Sequence, residues 1–371
     1  MKIIFNTDQI YKHGGVEKVM ATKANYFANM PDTQVYIITT EQIGKDPRYN
    51  LDSRIHMLDL DIDYDRTKSY FSTSNLKKVY RHFRKQSALL RMIDPQFVIS
   101  PNYNFDHYWL PFIHRKSKKI KERHGSGFFA FEARKSASFF KRVKNNLNDW
   151  IDSKYDHIVV LNNDEKNYVS SNNAVVIPNP VEIPSEISKL ENKKVLAAGR
   201  IAPVKGFDEL ITAWSKVNEN SSGWELHIYG DDYLDTQKEL EKLIKRLNLE
   251  DKVFFKESVP DLQKIMDSYS IYAMSSMSEC FPMVLLEALS VGVPVVSYDC
   301  PNGPRHIITN DKDGFLTEYK NPQDLAGKLI HLINHNDLRK EFGRSAKINS
   351  ARFSTLKIMS QWSDLLNLPN V

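Results

Sequence analysis

The 371-residue sequence lacks the features that mark several specialised classes of protein. Its two cysteines, Cys280 and Cys300, are too few for a disulfide framework, and no CxxC or Cys/His spacing indicates zinc. No stretch reaches about 18 uninterrupted apolar residues, so we expect no membrane-spanning helix. The start MKIIFNTD is too short for a signal-peptide core. These absences predict a cytoplasmic protein in a reducing compartment.

The remaining composition is that of a soluble globular protein, with 41% hydrophobic and 26% charged residues. The length suggests about two domains. Short β-rich runs alternate with longer amphipathic runs, which is typical of βαβ units and parallel sheets. The predicted strands are KIIFN, QVYIITT, RIHMLDL, QFVIS, HIVVLN, KVLAAGR, WELHIYG, KVFFKES, IYAMSS and VPVVSYD. We therefore expect a doubly wound α/β fold.

A polar stretch with three prolines, Val176–Lys194, predicts the domain boundary because it interrupts the pattern and leads into a new strand. We place the N-terminal domain at residues 1–182 and the C-terminal domain at residues 183–354.

The stretch 115–144 concentrates positive charge, with eleven Lys or Arg against two Glu, although the formal net charge of the whole chain is only +5. Phenylalanines interleave with these charges at positions 128, 129, 131, 139 and 140. The combination suits a surface that contacts an anionic membrane at the inner face of the cell membrane. It equally suits a solvated helix face with the phenylalanines turned inward. We expect no nucleic-acid partner.

Two strand-to-helix turns are candidate phosphate sites. Gly14 and Gly15 follow the first strand and precede a helical pattern, where glycine allows close backbone approach and helix N–H groups attract anions. The pair is not GxGxxG, so a dinucleotide site is disfavoured, and plain turn chemistry is the alternative. Arg200 and Lys205 follow the strand KVLAAG, where a diphosphate is a sensible ligand. A solvated basic loop is the alternative there.

A third candidate site lies in SECFPMVLLEALSVG. Pro282 suits the first turn of a helix, which leaves Glu279 in the preceding loop and the N–H groups of Met283 and Val284 free for phosphate oxygens. Glu287 lies on an apolar helix and needs a hydrogen-bond partner, because a buried unpaired carboxylate is costly. A sugar for Glu279 and a ribose diol for Glu287 would fit. The alternative is that Glu279 complements the helix dipole and Glu287 bonds to a strand.

Three motifs together resemble the retaining glycosyltransferases of family 4. SECFPMVLLEALSVGVPVVSYD resembles their E-x7-E signature, GRIAPVKGFDELITAW resembles their phosphate loop, and GGVEKV matches after the first strand. The motifs span Gly14 to Asp299 in the expected order. The resemblance implies the GT-B architecture, in which two Rossmann-like domains have parallel sheets facing a central cleft. It also implies that the last helix, 355–371, packs back on the N-terminal domain.

The resemblance further implies a role for each candidate residue. Arg200 and Lys205 would neutralise the donor diphosphate, and Gly15 would let its loop approach it. Glu287 would bind the ribose, and Glu279 would contact the donor sugar. The implied donor-binding residues are Gly14, Gly15, Arg200, Lys205, Glu279, Phe281, Met283, Val284 and Glu287, and the implied catalytic residues are His124, Glu279, Arg200 and Lys205.

The histidine assignment comes from KIKERHGSGF, where His124 is flanked by Gly125 and Gly127. His124 would hydrogen-bond the donor sugar, or alternatively anchor a loop, and His13 beside the glycine pair is a weaker rival. One departure concerns GPRHII, in which His306 stands where relatives often have glutamate. The contact made by that carboxylate is therefore open.

The implied activity is transfer of a hexose or N-acetylhexosamine from a nucleotide diphosphate sugar, UDP-linked as in many such relatives. The acceptor would be a glycan or a lipid-diphosphate-linked saccharide in surface polysaccharide assembly, and no metal or other cofactor is expected. Two alternatives are a nucleotide-sugar epimerase of the same fold and a non-catalytic sugar-binding subunit. A third uses DLDIDYD, residues 59–65, which resembles the DxD metal motif of the other large glycosyltransferase fold.

Chelation separates the last alternative from the metal-independent reaction. Arg200, Lys205 and helix N–H groups can stabilise the charge of the leaving diphosphate without a metal. Excess EDTA should therefore leave the rate of donor cleavage unchanged, as measured by release of the nucleoside diphosphate. Loss of cleavage in EDTA, restored by Mn²⁺, would instead support the metal-dependent mechanism.

Overall fold

A computed structural model describes residues 1–69, 71–101 and 104–369. The chain divides into two compact units: unit 1 comprises Met1–Pro178 and the chain from Met359 onwards, and unit 2 comprises Asn179–Ile358. Each unit has its own parallel sheet. The predicted α/β class with two parallel-sheet domains is confirmed.

In the described part of unit 1, seven parallel strands form one sheet. The strands are β1 (Lys2–Asn6), β2 (Gln34–Thr39), β3 (His56–Asp59), β4 (Phe97–Ser100), β5 (Lys118–Arg123), β6 (His157–Val160) and β7 (Ala174–Val176). The helices are α1 (Gly15–Ala28), α2 (Thr73–Ile93), α3 (Phe128–Lys135), α4 (Phe139–Asp152) and α5 (Asn163–Lys166). The strand order is β3-β2-β1-β4-β5-β6-β7. Side chains of both parities are buried in β1 and β4, as expected for strands covered on both faces.

The unpredicted strand β5 lies in the interior of this sheet between β4 and β6, although its sequence is KKIKER. Its Lys119, Lys121 and Glu122 are only 2%, 5% and 3% exposed. Buried charges are tolerated when they are paired, and Lys121 Nζ lies 2.6 Å from Asp152 Oδ1. Burial lowers the pKa of Lys121, and Asp152 opposes that shift.

This strand corrects the prediction that the whole basic stretch 115–144 forms a membrane-contacting surface. Residues 118–123 are a core strand, and most of its charged side chains cannot reach a lipid headgroup. The exposed part of the stretch lies in α3 and α4. There the idea that the phenylalanines turn inward is wrong for four of the five, which are Phe129 (53% exposed), Phe131 (38%), Phe139 (73%) and Phe140 (83%).

Unit 2 contains a parallel sheet of six strands among the described residues. The strands are β8 (Lys194–Ala198), β9 (Glu225–Tyr229), β10 (Val253–Lys256), β11 (Ile271–Met274), β12 (Val295–Tyr298) and β13 (Gly314–Thr317). The helices are α6 (Phe207–Asn220), α7 (Thr236–Arg246), α8 (Met283–Ser290), α9 (Pro322–Asn334) and α10 (Asn336–Ser350), followed by α11 (Thr355–Leu366), which continues into unit 1.

The strand order in unit 2 is β10-β9-β8-β11-β12-β13. Counted within the unit, this is the order 3-2-1-4-5-6 of dinucleotide-binding folds, and the order reverses between β8 and β11. Ligands of such sheets bind outside the carboxyl ends of the strands at that reversal. The core beneath is apolar, and Trp214 of α6 is fully buried within it. In the described part of the chain, no helix is long and apolar enough to cross a bilayer.

Candidate functional site

The predicted donor residues of unit 2 follow the carboxyl ends of the two strands at the reversal of strand order. Arg200 and Lys205 lie after β8, and Glu279 lies between β11 and α8. Lys205 Nζ lies 2.6 Å from Glu279 Oε1, and their side chains are 24% and 13% exposed. The structure therefore brings together one cation and one carboxylate that were predicted to contact the diphosphate and the sugar. Arg200 instead places its guanidinium 5.1 Å from the centre of the Tyr233 ring.

Backbone contacts fix the position of Lys205. The Met277 N–H donates to the Val204 carbonyl at 2.8 Å, and the Ser275 hydroxyl donates to the Lys205 carbonyl at 3.2 Å. Gly206 has φ of 61°, and a Cβ there would lie 2.3 Å from the Ser275 carbonyl oxygen. Glycine is required on both counts, because the conformation is left-handed and the two segments touch. The loop after β8 is thereby held against the segment after β11.

The backbone of Glu279 is held from its other side by the loop after β12. Its N–H donates to the Pro301 carbonyl at 3.1 Å, and its carbonyl accepts from the N–H groups of Asn302 and Gly303 at 2.8 and 2.9 Å. Burial, reinforced by the nearby Glu279 carboxylate, raises the pKa of the Cys300 thiol. The thiol is therefore neutral beside a carboxylate whose ion-pair partner is Lys205.

Helix α8 begins one residue later than its sequence suggests, because Pro282 is the N-cap residue and Met283 the first helical residue. Within the described structure, no side chain caps this end. Met283 and Val284 are partly exposed, so their N–H groups, which have no acceptor inside the helix, are available to an anion. Phe281 is buried and packs edge-on against Phe353 with ring centroids 5.5 Å apart, which indicates a packing role.

Glu287 lies in the middle of α8 and is 5% exposed. Its predicted hydrogen bonds to a ribose stay a prediction. Burial raises the pKa of Tyr272, and the carboxylates of Glu279 and Glu287 add to that shift. The two carboxylates of the E-x7-E motif are thus both electrostatic neighbours of one buried phenol.

The predicted residues of unit 1 also lie near strand ends. His124 directly follows β5, and its Nε2 lies 3.1 Å from Glu122 Oε2. Gly14 caps α1 with an extended backbone, so its conformation does not require glycine. A Cβ on Gly14 would lie 2.3 Å from Glu17 Oε2, which shows that the Glu17 carboxylate lies against the glycine pair. The start of α1 therefore carries a carboxylate beside the turn at which the diphosphate was predicted to bind.

Burial raises the pKa of Glu17, although its own backbone N–H and the Gln9 amide donate to it. Its protonation would remove the repulsion between the carboxylate and an incoming phosphate. His13, the weaker histidine candidate, lies with its ring centroid 6.0 Å from that of Tyr49. This contact fits a role in shaping the loop.

Two further ion pairs lie beside His306 and in the DxD-like stretch. His306 ends a 3₁₀ turn, Pro304–His306, and the neighbouring Arg305 makes a two-pronged pair with Asp299 at 2.9 and 3.0 Å. This pair lies at the carboxyl end of β12 and was not predicted, since nothing in the spacing distinguishes it from solvated charges. In the DxD-like stretch, Asp61 pairs with Arg81 at 2.9 Å.

Asp59 of the same stretch accepts from the Thr39 hydroxyl at 3.0 Å and from the Gln42 N–H at 3.1 Å. No group of three or more metal-ligating side chains converges in the described residues, this stretch included. Asp59 and Asp61 are thus held by protein partners at the edge strand of the sheet.

Residues 180–349 match the family model for glycosyl transferases group 1. The chain is 27% identical to an uncharacterized glycosyltransferase of Haemophilus influenzae, with 98% of this chain and 99% of that protein aligned. It is 31% identical to an N-acetylgalactosamine-N,N'-diacetylbacillosaminyl-diphospho-undecaprenol 4-alpha-N-acetylgalactosaminyltransferase of Campylobacter jejuni, with 50% of each chain aligned. The chain thus spans half the length of that relative.

The fold is similar to that of a point mutant of S. aureus TarM, solved in complex with fondaparinux, alpha-GlcNAc-glycerol and UDP. The TM-score is 0.76 at 19% sequence identity, with 99% of this chain and 100% of that chain covered. The architecture is therefore GT-B. Together with the group 1 match, these comparisons support a glycosyltransferase.

The close approach at Gly206 gives a stability prediction. Gly206→Ala should lower the free energy of unfolding by about 1–3 kcal/mol, because the new Cβ meets the Ser275 carbonyl in a left-handed conformation. Gly327→Ala is the matched control: Gly327 lies within α9 with nothing near its Cβ position, so this change should stabilise by about 0.5–1 kcal/mol. Urea unfolding followed by circular dichroism measures both. Equal midpoints for Gly206→Ala and the unaltered chain would refute the loop geometry.

Proposed function

We propose that the protein is a retaining, metal-independent glycosyltransferase that moves a hexose or N-acetylhexosamine from a uridine diphosphate sugar to a hydroxyl of a glycan or lipid-linked saccharide. The observation that carries the proposal is the Lys205–Glu279 ion pair together with the N-terminus of α8, which no described side chain caps. A diphosphate needs cations and N–H donors, and a sugar needs a carboxylate that accepts from its hydroxyls. The Lys205 ammonium, the Glu279 carboxylate and the N–H groups of α8 all follow the carboxyl ends of β8 and β11, where the strand order reverses.

Donor binding would rearrange the ion pair. The diphosphate competes for the Lys205 ammonium, and the N–H groups of Met283 and Val284 take further phosphate oxygens. Glu279 is then released from its cation and accepts hydrogen bonds from sugar hydroxyls. Because the pair is partly exposed, water can solvate its groups when they separate, so breaking it costs less than breaking a fully buried pair.

The same groups would act most strongly as the glycosidic bond breaks. Negative charge grows on the leaving diphosphate, and Lys205, Arg200 and the helix N–H groups stabilise charge at that position. The leaving phosphate accepts the proton of the attacking hydroxyl on the same face, which retains the anomeric configuration. We assign Glu287 to the ribose and His124 to the donor sugar, on the strength of the resemblance. The UDP bound to TarM supports this choice of nucleotide.

The acceptor proposal draws on the exposed face of α4. Its large apolar residues recur at helical spacing and are all about half exposed or more, namely Phe139, Phe140, Val143, Leu147 and Trp150. Arg142 and Lys144 are exposed beside them. A bidentate pair between Arg134 and Asp149, at 2.7 and 2.9 Å, fixes α3 against α4. We propose that this face binds the surface of an anionic membrane, where a lipid-linked acceptor is available.

A substitution in the sugar-binding carboxylate tests the activity. Glu279→Gln should lower kcat/KM for transfer at least about tenfold, because a charged acceptor of hydrogen bonds is lost. Glu250→Gln, an exposed carboxylate of the same unit, should be without effect. The assay offers UDP-sugars with lipid-linked acceptors and identifies products by mass spectrometry. Unchanged glycan formation by Glu279→Gln would favour a non-catalytic subunit, and donor consumption without acceptor would favour an epimerase.

A vesicle experiment tests the α4 face. The double variant Phe139→Ser/Phe140→Ser should weaken co-sedimentation with phosphatidylglycerol vesicles at least about tenfold. The reason is that each phenylalanine that enters the membrane contributes about 1.5–3 kcal/mol of binding free energy. Ile348→Ser, which alters a residue of α10 that is 76% exposed, is the control and should bind normally. Added salt should weaken binding of the unaltered protein. Equal sedimentation of the double variant and the unaltered protein would contradict the proposal.

A further inference from the structure

A fully buried ion pair joins helix α1 to strand β5 in unit 1. Lys23 Nζ lies 2.5 Å from both carboxylate oxygens of Glu122, and each side chain is 1% exposed. The ring of Trp362, from α11, lies with its centroid 4.4 Å from the Lys23 ammonium. Two isolated charges at this depth would be very costly, so the pair persists only because the geometry satisfies both groups. Nothing in the sequence pattern marks it.

The Glu122 carboxylate has a second partner, His124 Nε2, at 3.1 Å. Burial would raise the pKa of Glu122, but Lys23 and His124 overcome it and lower the pKa to about 2. The carboxylate is therefore ionised at neutral pH and can only accept hydrogen bonds. In the neutral form of the imidazole, Nε2 of His124 therefore carries the proton that it donates to Glu122, and Nδ1 is left as an acceptor.

We propose that the Lys23–Glu122 pair is a positioning device for His124, which holds the imidazole in the Nε2–H tautomer and presents Nδ1 as the acceptor for a donor-sugar hydroxyl. This inference rests on the proposed function for the identity of the group that His124 meets. The tautomer itself follows from the contacts alone. Glu122 and Lys23 touch no substrate in this proposal, so they are positioning residues.

The Lys23–Glu122 ion pair also links His124 to the turn that contains Gly14 and Gly15. Helix α1 starts at Gly15, and Lys23 lies about two turns further along the same helix. Because Lys23 is bound to Glu122 of β5, the start of α1 and the residue after β5 are held in a fixed relation. A rigid relation of this kind matters for transfer, since a misplacement of about 1 Å in the reacting geometry can cost about 100-fold in rate.

The test combines histidine-ring ¹⁵N NMR with transfer kinetics. The double variant Lys23→Met/Glu122→Gln removes both buried charges together, so no unpaired charge remains in the core. The unaltered protein should show His124 as the Nε2–H tautomer, assigned by comparison with His124→Gln. The double variant should lose that preference and lower kcat about 100-fold with little change in donor KM. The control Arg134→Met/Asp149→Asn removes the ion pair between α3 and α4 and should leave the His124 tautomer unchanged.

Each readout can overturn the proposal separately. An Nδ1–H tautomer in the unaltered protein would refute it without any variant, which covers the case in which the double variant fails to fold. A folded double variant with unchanged tautomer and kcat would also refute it. If the unaltered protein shows the Nε2–H tautomer and no transferase activity, the proposed function fails while the positioning of the ring by Glu122 stands.

Discussion

The ion pair between Lys205 and Glu279 is the interaction on which the account of unit 2 depends. It is partly exposed and lies at the carboxyl ends of the strands where the strand order reverses. It joins an ammonium that we assign to the diphosphate and a carboxylate that we assign to the sugar. The buried pair between Lys23 and Glu122 is the opposite case. A partly exposed pair costs less to break than a buried one, so its groups can exchange each other for a ligand. A fully buried pair is costly to break by removing one partner, so it serves to hold positions.

The geometry around Lys205 follows from backbone constraints more than from its own side chain. Gly206 allows the loop after β8 to touch the segment after β11, and Glu279 is held in turn by backbone bonds to the loop after β12. Three strand ends are thereby linked through main-chain atoms. Side chains placed on such a frame lose little further entropy when a ligand binds, which favours a preorganised site.

The sequence predicted the fold class and most strands because parallel strands covered on both faces are continuous apolar runs. It missed β5, whose sequence KKIKER resembles a solvated charged segment. Its burial depends on partners from distant parts of the chain, Lys23 and Asp152, and no local pattern reveals them. The strands β7 and β13 were also missed: β7 has only three residues, and β13 (GFLT) begins with a glycine, which is typical of turns. The ion pair between Lys205 and Glu279 was missed for the same reason, because the two residues are far apart in the sequence, although each was predicted to bind the donor.

The central claim is that Lys205 binds the diphosphate of the donor and is not merely the structural partner of Glu279. Isothermal titration of UDP into the unaltered protein and into Lys205→Met measures this directly, because UDP lacks the sugar that Glu279 would contact. Lys205→Met should bind UDP at least about tenfold more weakly than the unaltered protein, since it loses one charge-assisted contact to phosphate. Equal affinities for UDP in a folded Lys205→Met variant would contradict the account.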